Sequence, residues 1–509
     1  MWEGFVKQRT IALIFAQCFA LFVCILVISI FPAAAQSGGD TAAMTDAIRD
    51  LREQVSELRS AVTELRTEAS QYRAETESLR RELEAQTNRP SAAEPSTQPE
   101  VASNNRITEV EDSIQLLTSK LDDQYQTKIE SASKYHMRLS GILLLNLFHN
   151  SGAVDNADIP TWVLPSPTFS SQSFGATLRQ SQVGLEVFGP AIAGAKTSAE
   201  VSADFGAGFQ ESNNGVNHGL VRLRTGTMHL EWKNTSIVAG QDNLFFSPQS
   251  PTSFASLAIP AFAYSGNLWG WTPQVRVEHR MSLSDAQTLT LQAGILDNLT
   301  GEPPLVSYHR LPQAGERSGQ PAYATRVAWS TRLFGKPLTI GSAGYYSRQD
   351  WGFGNQLDGW AGMGDWEIPL PGRFSWSGEL YRGRAMGGLG GGIARSVIFN
   401  GNPAPGVAVQ PLNAVGGWSQ LKFRANSRLE FNGAFGMDDA FAADVRAFPG
   451  GQSYFDSLLT QNRGTLVNFI YRPRSSLLFS GEYRHLRTFQ IDSGSPTADQ
   501  INLMMGVLF

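Results

Sequence analysis

Apolar and polar residues alternate along the segment 135–509, in short stretches that turn-forming sequences separate. Because successive side chains of a strand point to opposite faces, this alternation predicts β-strands with one apolar face. The last strand is the clearest example, since Ile501, Leu503, Met505, Val507 and Phe509 fall on one face. Such a strand, ending the chain on an aromatic residue, is typical of a closed transmembrane β-barrel. An edge strand of a soluble sheet is the alternative for this segment taken alone.

We predict sixteen strands from the alternation and from the turn signals between them. The predicted ranges are 136–148, 175–188, 194–206, 218–231, 234–242, 271–283, 286–297, 321–332, 337–349, 356–368, 372–383, 415–425, 428–437, 463–472, 475–488 and 499–509. Very short connections follow the even-numbered strands, and mostly long connections follow the odd-numbered ones. Single-chain outer-membrane barrels have this pattern of short periplasmic turns and long outer loops, whereas a soluble two-sheet sandwich does not require it. The predicted fold class is therefore an all-β transmembrane barrel of about 16 antiparallel strands at 135–509, preceded by an N-terminal α-helical coiled coil.

The coiled coil is predicted within residues 36–85, where heptads repeat without interruption from 44 to 83. The a positions are Ile48, Val55, Val62, Ala69, Thr76 and Leu83, and the d positions are Met44, Leu51, Leu58, Leu65, Tyr72 and Leu79. This narrow apolar seam cannot be buried by one helix, so it predicts an oligomer. β-Branched residues at a with leucine at d favour a coiled coil of two helices. Ala69, Tyr72 and Thr76 weaken that preference.

The remaining N-terminal segments are a predicted signal peptide, a linker and a second helix. Residues 1–35 combine Lys7 and Arg9, a long apolar run and a small-residue cleavage site at 33–35. Because that run is longer than usual, an uncleaved membrane anchor is the alternative. Residues 86–105 form a proline-containing linker, and residues 106–134 carry a short heptad run that ends near Gln126. An even strand number places both ends of the barrel on the periplasmic side, where the coiled coil is expected.

Charged residues share the strand faces opposite the apolar ones. A charged side chain that faces lipid near the bilayer midplane costs roughly 2–4 kcal/mol, so these residues are expected to face the lumen. The candidate pore-lining residues are Arg222, Arg224, Arg276, Glu278, Arg280, Arg326, Arg332, Lys422, Arg424, Arg428, Glu430, Glu482 and Arg484. The arginine excess in the fourth, sixth, eighth and twelfth strands favours a basic lining, and ladders of Arg–Glu pairs that only support the wall are the alternative. Aromatic residues near strand ends, among them Trp269 and Trp271, are expected in the interface girdles.

Composition excludes several other kinds of function. The net charge of −5 leaves no basic excess for binding nucleic acid. The two cysteines, Cys18 and Cys24, lie in the signal segment, so the mature chain has no disulfide or thiolate metal site. The glycine-rich run 387–392 lacks the lysine of a phosphate loop and is expected to be a flexible outer loop. No histidine spacing indicates a metal site, and no marked Ser–His arrangement indicates an enzyme. We therefore expect no catalytic residues, no metal and no cofactor.

Four stretches of the barrel segment resemble a known family. They are RLSGILLLNLF at Arg138–Phe148, RQSQVGLEVFGP at Arg179–Pro190, LVRLRTGTMHLEW at Leu220–Trp232 and AGQDNLFF at Ala239–Phe246. They resemble the DcaP-like trimeric porins, a branch of the general porins of Gram-negative bacteria. The resemblance implies a homotrimer, passive uptake of small and often anionic solutes, and a third loop folded into the channel. Residues 243–270 are that loop here, but they contain no acidic residue to face the arginines.

The sequence thus predicts an outer-membrane porin, a water-filled channel through which small hydrophilic and anionic solutes diffuse. The alternative is a structural envelope protein with a plugged barrel, whose coiled coil acts as a periplasmic spacer or tether. The expected partners are two further copies of the chain, outer-membrane lipid and lipopolysaccharide, the solutes, and the barrel-assembly machinery. The terminal Phe509 resembles the signal that such barrels present to that machinery.

Overall fold

The computed structural model describes residues 128–129, 136–165, 171–208, 219–302, 309–448, 459–491 and 494–509. The predicted signal peptide, coiled coil and linker lie outside these residues, as does most of the predicted second helix. From that last segment, Lys128–Ile129 form a two-residue strand antiparallel to Met137 and Arg138. None of the helices in the described ranges is long and apolar enough to cross a bilayer.

The described chain forms one closed antiparallel barrel. Its strands are β1 His136–Ser151, β2 in two segments Gln172–Thr177 and Gln182–Phe188, β3 Lys196–Asp204, β4 Arg222–Glu231, β5 Thr235–Asn243, β6 Trp271–Ser284, β7 Gln287–Leu296, β8 Ala322–Leu333, β9 Lys336–Asp350, β10 Gln356–Pro369, β11 Phe374–Arg384, β12 Asn413–Arg424, β13 Leu429–Ala440, β14 Leu459–Arg474, β15 Leu477–Gln490 and β16 Thr497–Leu508. Counting β2 once gives sixteen barrel strands, which confirms the predicted number.

The last strand closes the barrel against the first. β16 pairs with β1 from Leu508 opposite Ile142 to Asp499 opposite Ser151. The main chain of Phe509 continues this pairing, because Gly141 donates to its carbonyl at 2.8 Å and accepts from its amide at 3.1 Å. Closure gives each of the sixteen described barrel strands two neighbours, as a barrel in lipid requires.

The outer surface of the barrel is apolar along its middle. Leu143, Leu421, Phe435, Val467 and Leu503 are all exposed on it, while their neighbours in sequence point inward. This confirms the period-two alternation as the determinant of sidedness. Such a surface is unfavourable in water and stable against lipid.

The strands β2 and β4 each have an irregularity close to the residues that contact loop three. β2 is interrupted at 178–181, where the Ser181 hydroxyl replaces a backbone acceptor and receives the Leu144 amide at 3.0 Å. In β4, Ser202 pairs with Thr225 and Ala203 pairs with Leu223, so Arg224 is the extra residue of a β-bulge. The bulge turns both Arg224 and Thr225 away from the outer surface. The inward phase predicted for Arg222 and Arg224 therefore holds, and the alternation shifts only after them.

The connections carry the remaining short elements. These are the helices Ala314–Arg317 and Ala442–Arg446, the 3₁₀ turns Phe254–Ser256 and Gly387–Leu389, the helical turn Gly391–Ala394, and a strand pair, Val397–Phe399 with Val409–Pro411. The connections after β9 and β15, at 351–355 and 491–496, are short, unlike the others that follow odd-numbered strands. The long connections at 244–270 and 385–412 enter the barrel. Residues 152–165 also reach the inner wall, where Asn462 donates to the Thr161 carbonyl at 2.8 Å.

Candidate channel lining

Loop three, the connection 244–270 between β5 and β6, lies inside the barrel. Its first half runs along the wall formed by β11, β12 and β14. Glu379 accepts from the Ser247 hydroxyl at 2.5 Å and from the Gln249 amide at 2.7 Å. Gln420 accepts from the Thr252 amide at 2.6 Å, and Asn468 donates to the Thr252 carbonyl at 2.8 Å. These contacts confirm that the third loop folds inward.

The tip of loop three is fixed by residues on β15 and in the β2 interruption. The Gln180 side chain donates to the Ala255 carbonyl at 3.0 Å and accepts from the Leu257 amide at 2.8 Å. Arg484 donates to the Ser256 hydroxyl at 2.5 Å and to Glu482 at 2.6 Å. Arg484 and Glu482 face inward as predicted, but loop three covers them, so this ion pair is buried and fastens the loop.

Apolar contacts strengthen the attachment of the tip. Ile142, Leu144, Leu478 and Met504 point into the barrel, and Phe254, Ala255 and Leu257 of loop three pack against them. Burying apolar side chains in this way contributes about 25 cal/mol per Å² removed from water. These apolar side chains on the inner face of β1, β15 and β16 therefore mark the seat of the loop.

The second half of the loop approaches the wall so closely that only glycine fits. Gly266 has a φ of +101°, and a Cβ there would lie 2.3 Å from the Gly417 carbonyl oxygen. Opposite, a Cβ on Gly436 would lie 2.7 Å from the ring of Phe262. Asn462 completes this contact by donating to the Tyr264 carbonyl at 3.0 Å and to the Ser265 hydroxyl at 2.8 Å.

Arg222 and Arg224 form an arginine pair that shares one carboxylate, that of Asp204. Arg222 binds Asp204 with two parallel hydrogen bonds of 3.0 and 2.8 Å, and Arg224 binds it with one of 3.1 Å. The Asp204 side chain is fully buried, whereas the side chains of Arg222 and Arg224 are 22% and 16% exposed. Two positive charges against one negative charge leave a local excess of one positive charge.

Loop three meets this arginine pair with backbone oxygens instead of carboxylates. The Ala258 carbonyl accepts from Arg222 at 2.7 Å, and the Leu257 carbonyl accepts from Arg224 at 2.5 Å. This agrees with the absence of acidic residues from the loop, which excludes an eyelet of loop carboxylates facing arginines. The Arg222 Nη1 and the Arg224 Nε and Nη2 make no hydrogen bond to any described residue.

Trp271 lies against both guanidinium groups. Its ring centroid is 4.7 Å from the Arg222 Cζ and 4.8 Å from the Arg224 Cζ, within the range of cation–π attraction. Trp269 packs edge-on against Trp271 and against Tyr264 of loop three. The interface-girdle prediction is therefore wrong for these two tryptophans, because their position beside loop three gives them interior partners that strand ends alone do not reveal.

A second group of inward charges is electrically balanced. Arg326 binds Asp365 at 3.0 and 2.7 Å and donates to Gln292 at 3.0 Å. Gln292 in turn donates to Glu278 at 2.8 Å, and Glu278 accepts from Arg280 at 2.8 Å. Nearby, Arg276 is paired with Asp242 at 2.7 Å. These pairs are the wall-supporting ladders that the sequence left open as an alternative.

The other predicted residues lie toward the short-turn end of the barrel. Arg332 and Arg424 are exposed near the ends of β8 and β12, Lys422 is half-buried, and Arg428 belongs to the turn before β13. Glu430 is buried, and its Oε2 lies 3.8 Å from the Nη1 of Arg472. The predicted pore-lining residues thus fall into four groups. These are the arginine pair, the charge-balanced pairs around Arg326, the buried Arg484–Glu482 pair under loop three, and the residues at the short-turn end.

Sequence reasoning missed the acidic partners. Asp204, Asp242 and Asp365 each neutralise at least one of the predicted arginines. Asp204 is in inward phase with Glu200 and Ser202 on β3, and Asp365 is in inward phase with Glu367 on β10. This inward phase is the sequence signal that identifies them as partners of the arginines.

The mouth at the long-loop end is occupied by the connection 385–412. All of its residues from 385 to 399 except Gly388 are buried, including most of the glycine-rich run. Tyr381 donates to Asp438 at 2.8 Å and accepts from the Gly392 amide at 3.2 Å. The expectation of a flexible outer loop is wrong here, because small residues and left-handed turns at Gly392 and Ile393 let the run fold against the inner wall. Within the described residues, no group of His, Asp and Glu is arranged to hold a metal.

Comparison with solved structures finds the same fold. The outer-membrane channel DcaP of Acinetobacter baumannii aligns with a TM-score of 0.56 and 15% identity, over 75% of this chain and 99% of that one. An anion-selective porin from Comamonas acidovorans has a TM-score of 0.45 and 10% identity, over 74% and 100%. OprB of Pseudomonas putida has a TM-score of 0.44 and 12% identity, over 73% and 94%. No protein-family model and no curated protein matches the chain. The similarity to DcaP confirms the predicted resemblance at the level of the barrel fold.

Proposed function

We propose that this protein is an outer-membrane channel through which small hydrophilic anions diffuse passively. The observation that carries the proposal is the arginine pair, two guanidinium groups that share a single buried carboxylate. Both lie beside the tip of loop three, where the interior is narrowed by the loop. The apolar outer surface and the fold shared with the DcaP channel support placement in the outer membrane.

The arginine pair favours anions for two reasons. An uncompensated positive charge beside a narrow aqueous path raises the local concentration of anions. In addition, the guanidinium N–H groups that make no hydrogen bond to any described residue are available to a passing carboxylate or phosphate. The side chains are partly exposed, so these bonds can exchange with water, and binding is expected to be brief enough for release.

Replacing both arginines by serine is expected to lower anion selectivity. The reversal potential under a KCl gradient measures this, and Arg222→Ser/Arg224→Ser should shift it toward cation permeability. The shift should shrink in high salt, since the Debye length falls from about 10 Å at 0.1 M to about 3 Å at 1 M. Arg348→Ser is the matched control, because Arg348 points outward and pairs with Asp358 at 2.7 Å. A cation-selective wild-type protein, or a double variant with unchanged selectivity, contradicts the anion proposal.

We further propose a homotrimer that the periplasmic coiled coil helps to assemble. The observation that supports this proposal is the complete a/d seam of residues 44–83, which one helix cannot bury. The nominal preference of that seam for a two-helix coiled coil is weakened by Ala69, Tyr72 and Thr76. The DcaP-like resemblance favours an assembly of three chains.

Replacing Leu51, Leu58 and Leu65 by asparagine is expected to weaken the trimer and leave the barrel folded. The asparagines place polar groups in the seam, whereas the barrel strands are complete without it. Oligomer melting and heat-modifiability on gels measure the two effects separately. If the variant loses the folded barrel, or if the oligomer melts at the wild-type temperature, the proposed role of the coiled coil is incorrect.

A structural envelope protein is the second candidate. Residues 385–399 are nearly all buried and, together with loop three, pack against the inner wall, which favours a plug. In that case the coiled coil serves as a spacer. At about 1.5 Å per residue, a helix over residues 44–83 is roughly 60 Å long. Conductance separates the two candidates, because a plugged barrel inserts into a bilayer and carries no current.

A further inference from the structure

The outer surface of the barrel carries two arginines that face each other across a strand pair. Arg463 on β14 is directly opposite Arg487 on β15. Both are in phase with the exposed apolar residues Val467 and Tyr483, so they point away from the lumen. They lie near the long-loop ends of their strands, about 13 Å beyond Val467 at roughly 3.3 Å per residue. That position corresponds to the edge of the apolar surface.

The two guanidinium groups are held together by one aromatic ring. The Cζ of Arg463 lies 4.8 Å from the centroid of Phe489, and the Cζ of Arg487 lies 4.7 Å from it. Ser495 accepts from Arg487 at 2.8 Å, whereas the Nε of Arg463 is buried and has no hydrogen-bond partner among the described residues. Like charges directly opposite each other on a sheet are unfavourable, so this arrangement is incomplete without an anion.

The protein itself supplies no such anion within the described residues. Neither arginine forms an ion pair there. The nearby carboxylates on the same surface have other partners, since Asp439 accepts from Gln461 at 2.6 Å and Asp499 accepts from Tyr483 at 2.6 Å. Asp499 also contacts His485 at 2.8 Å. Counted over the described residues, the site therefore has an excess of two positive charges.

We propose that Arg463 and Arg487 bind the phosphate monoester of an outer-leaflet glycolipid of the lipid A class. A phosphate monoester carries a charge of about −1.5 to −2 near neutral pH and three acceptor oxygens, which match two guanidinium groups. A phosphodiester headgroup carries a single charge and matches them less well. The position at the long-loop edge of the apolar surface places the site at the headgroup level of the outer leaflet. This inference rests on the proposed outer-membrane location and is independent of conduction.

Binding to the purified protein in detergent tests the proposal. The probes are lipid A with both phosphates, the same lipid A without phosphates, phosphatidylglycerol and inorganic phosphate, and bound lipid is counted by native mass spectrometry. We expect Arg463→Gln/Arg487→Gln to bind phosphorylated lipid A at least tenfold more weakly than wild type. The single variant Arg487→Gln should give a smaller loss and covers the case in which the double variant does not fold.

Arg348→Gln is the matched control, since this outward arginine at the same end of the barrel is already neutralised by Asp358. Its affinity should equal that of wild type, and wild type should bind dephosphorylated lipid A at least tenfold more weakly. Unchanged affinity in the double and single variants overturns the proposal. Equal affinity of wild type for phosphatidylglycerol or inorganic phosphate overturns the assignment to a glycolipid. A loss of oligomer without a loss of lipid binding assigns the two arginines to a subunit contact instead.

Discussion

Replacing residues 249–266 of loop three with a four-residue Gly-Ser linker is expected to raise single-channel conductance several-fold. The loop occupies the interior between β4 and β15, and its removal widens the path for ions. The barrel should still fold, because every strand pairs with its two neighbours without the loop. Planar-bilayer recording measures the conductance, and heat-modifiability checks the fold.

Shortening the exposed segment 402–406 is the control for loop removal. Residues 402 and 403 are exposed at the far end of the connection 385–412, and 405 and 406 are too. Loss of this segment should leave conductance near the wild-type value. If the loop-three variant is folded and conducts no better than wild type, loop three does not narrow the path for ions.

Asp204→Asn is expected to destabilise the barrel and to increase its preference for anions. Among the described residues, Asp204 supplies the only carboxylate that binds Arg222 and Arg224, and the substitution leaves their two charges in a largely buried site. Breaking a buried ion pair on one side costs about 3 kcal/mol. The temperature at which the folded band is lost on gels should therefore fall, while the reversal potential should move further toward anion permeability.

Asp358→Asn is the matched control for this substitution. Asp358 also binds an arginine, Arg348, but its side chain is 46% exposed on the outer surface. Exposed ion pairs contribute about 0–1 kcal/mol, so this variant should unfold within a few degrees of wild type. Equal effects of the two substitutions, or reduced anion selectivity in Asp204→Asn, would contradict the role assigned to Asp204.

The barrel could be predicted from the sequence because one local rule governs its walls. Lipid on one side of the wall and a polar interior on the other require side chains to alternate with a period of two. The sequence of each strand shows this alternation. The inward phase holds at Arg222 and Arg224, although Arg224 is itself the extra residue of a β-bulge. The alternation does not predict the environment of an inward side chain that a loop covers.

The interior contacts depend on the path of two long connections, which no local pattern encodes. Leu144 and Leu478 lie on the inner face because loop three packs against them, although apolar side chains there contradict the simple rule. Trp271 lies in the interior and not in the interface girdle, because its ring packs against the two guanidinium groups of the arginine pair. Arg484 was predicted to line the pore from its phase alone, and its burial under Ser253 and Ser256 follows from the fold of the loop.

The central claim is that the interior, although narrowed by loop three and by the connection 385–412, conducts ions. Single-channel recording of the purified wild-type protein in a planar bilayer tests it most directly. We expect discrete conductance steps in which anions carry more of the current than cations. Folded barrels that insert into the bilayer and show no conductance step would contradict the channel and favour the plugged structural protein.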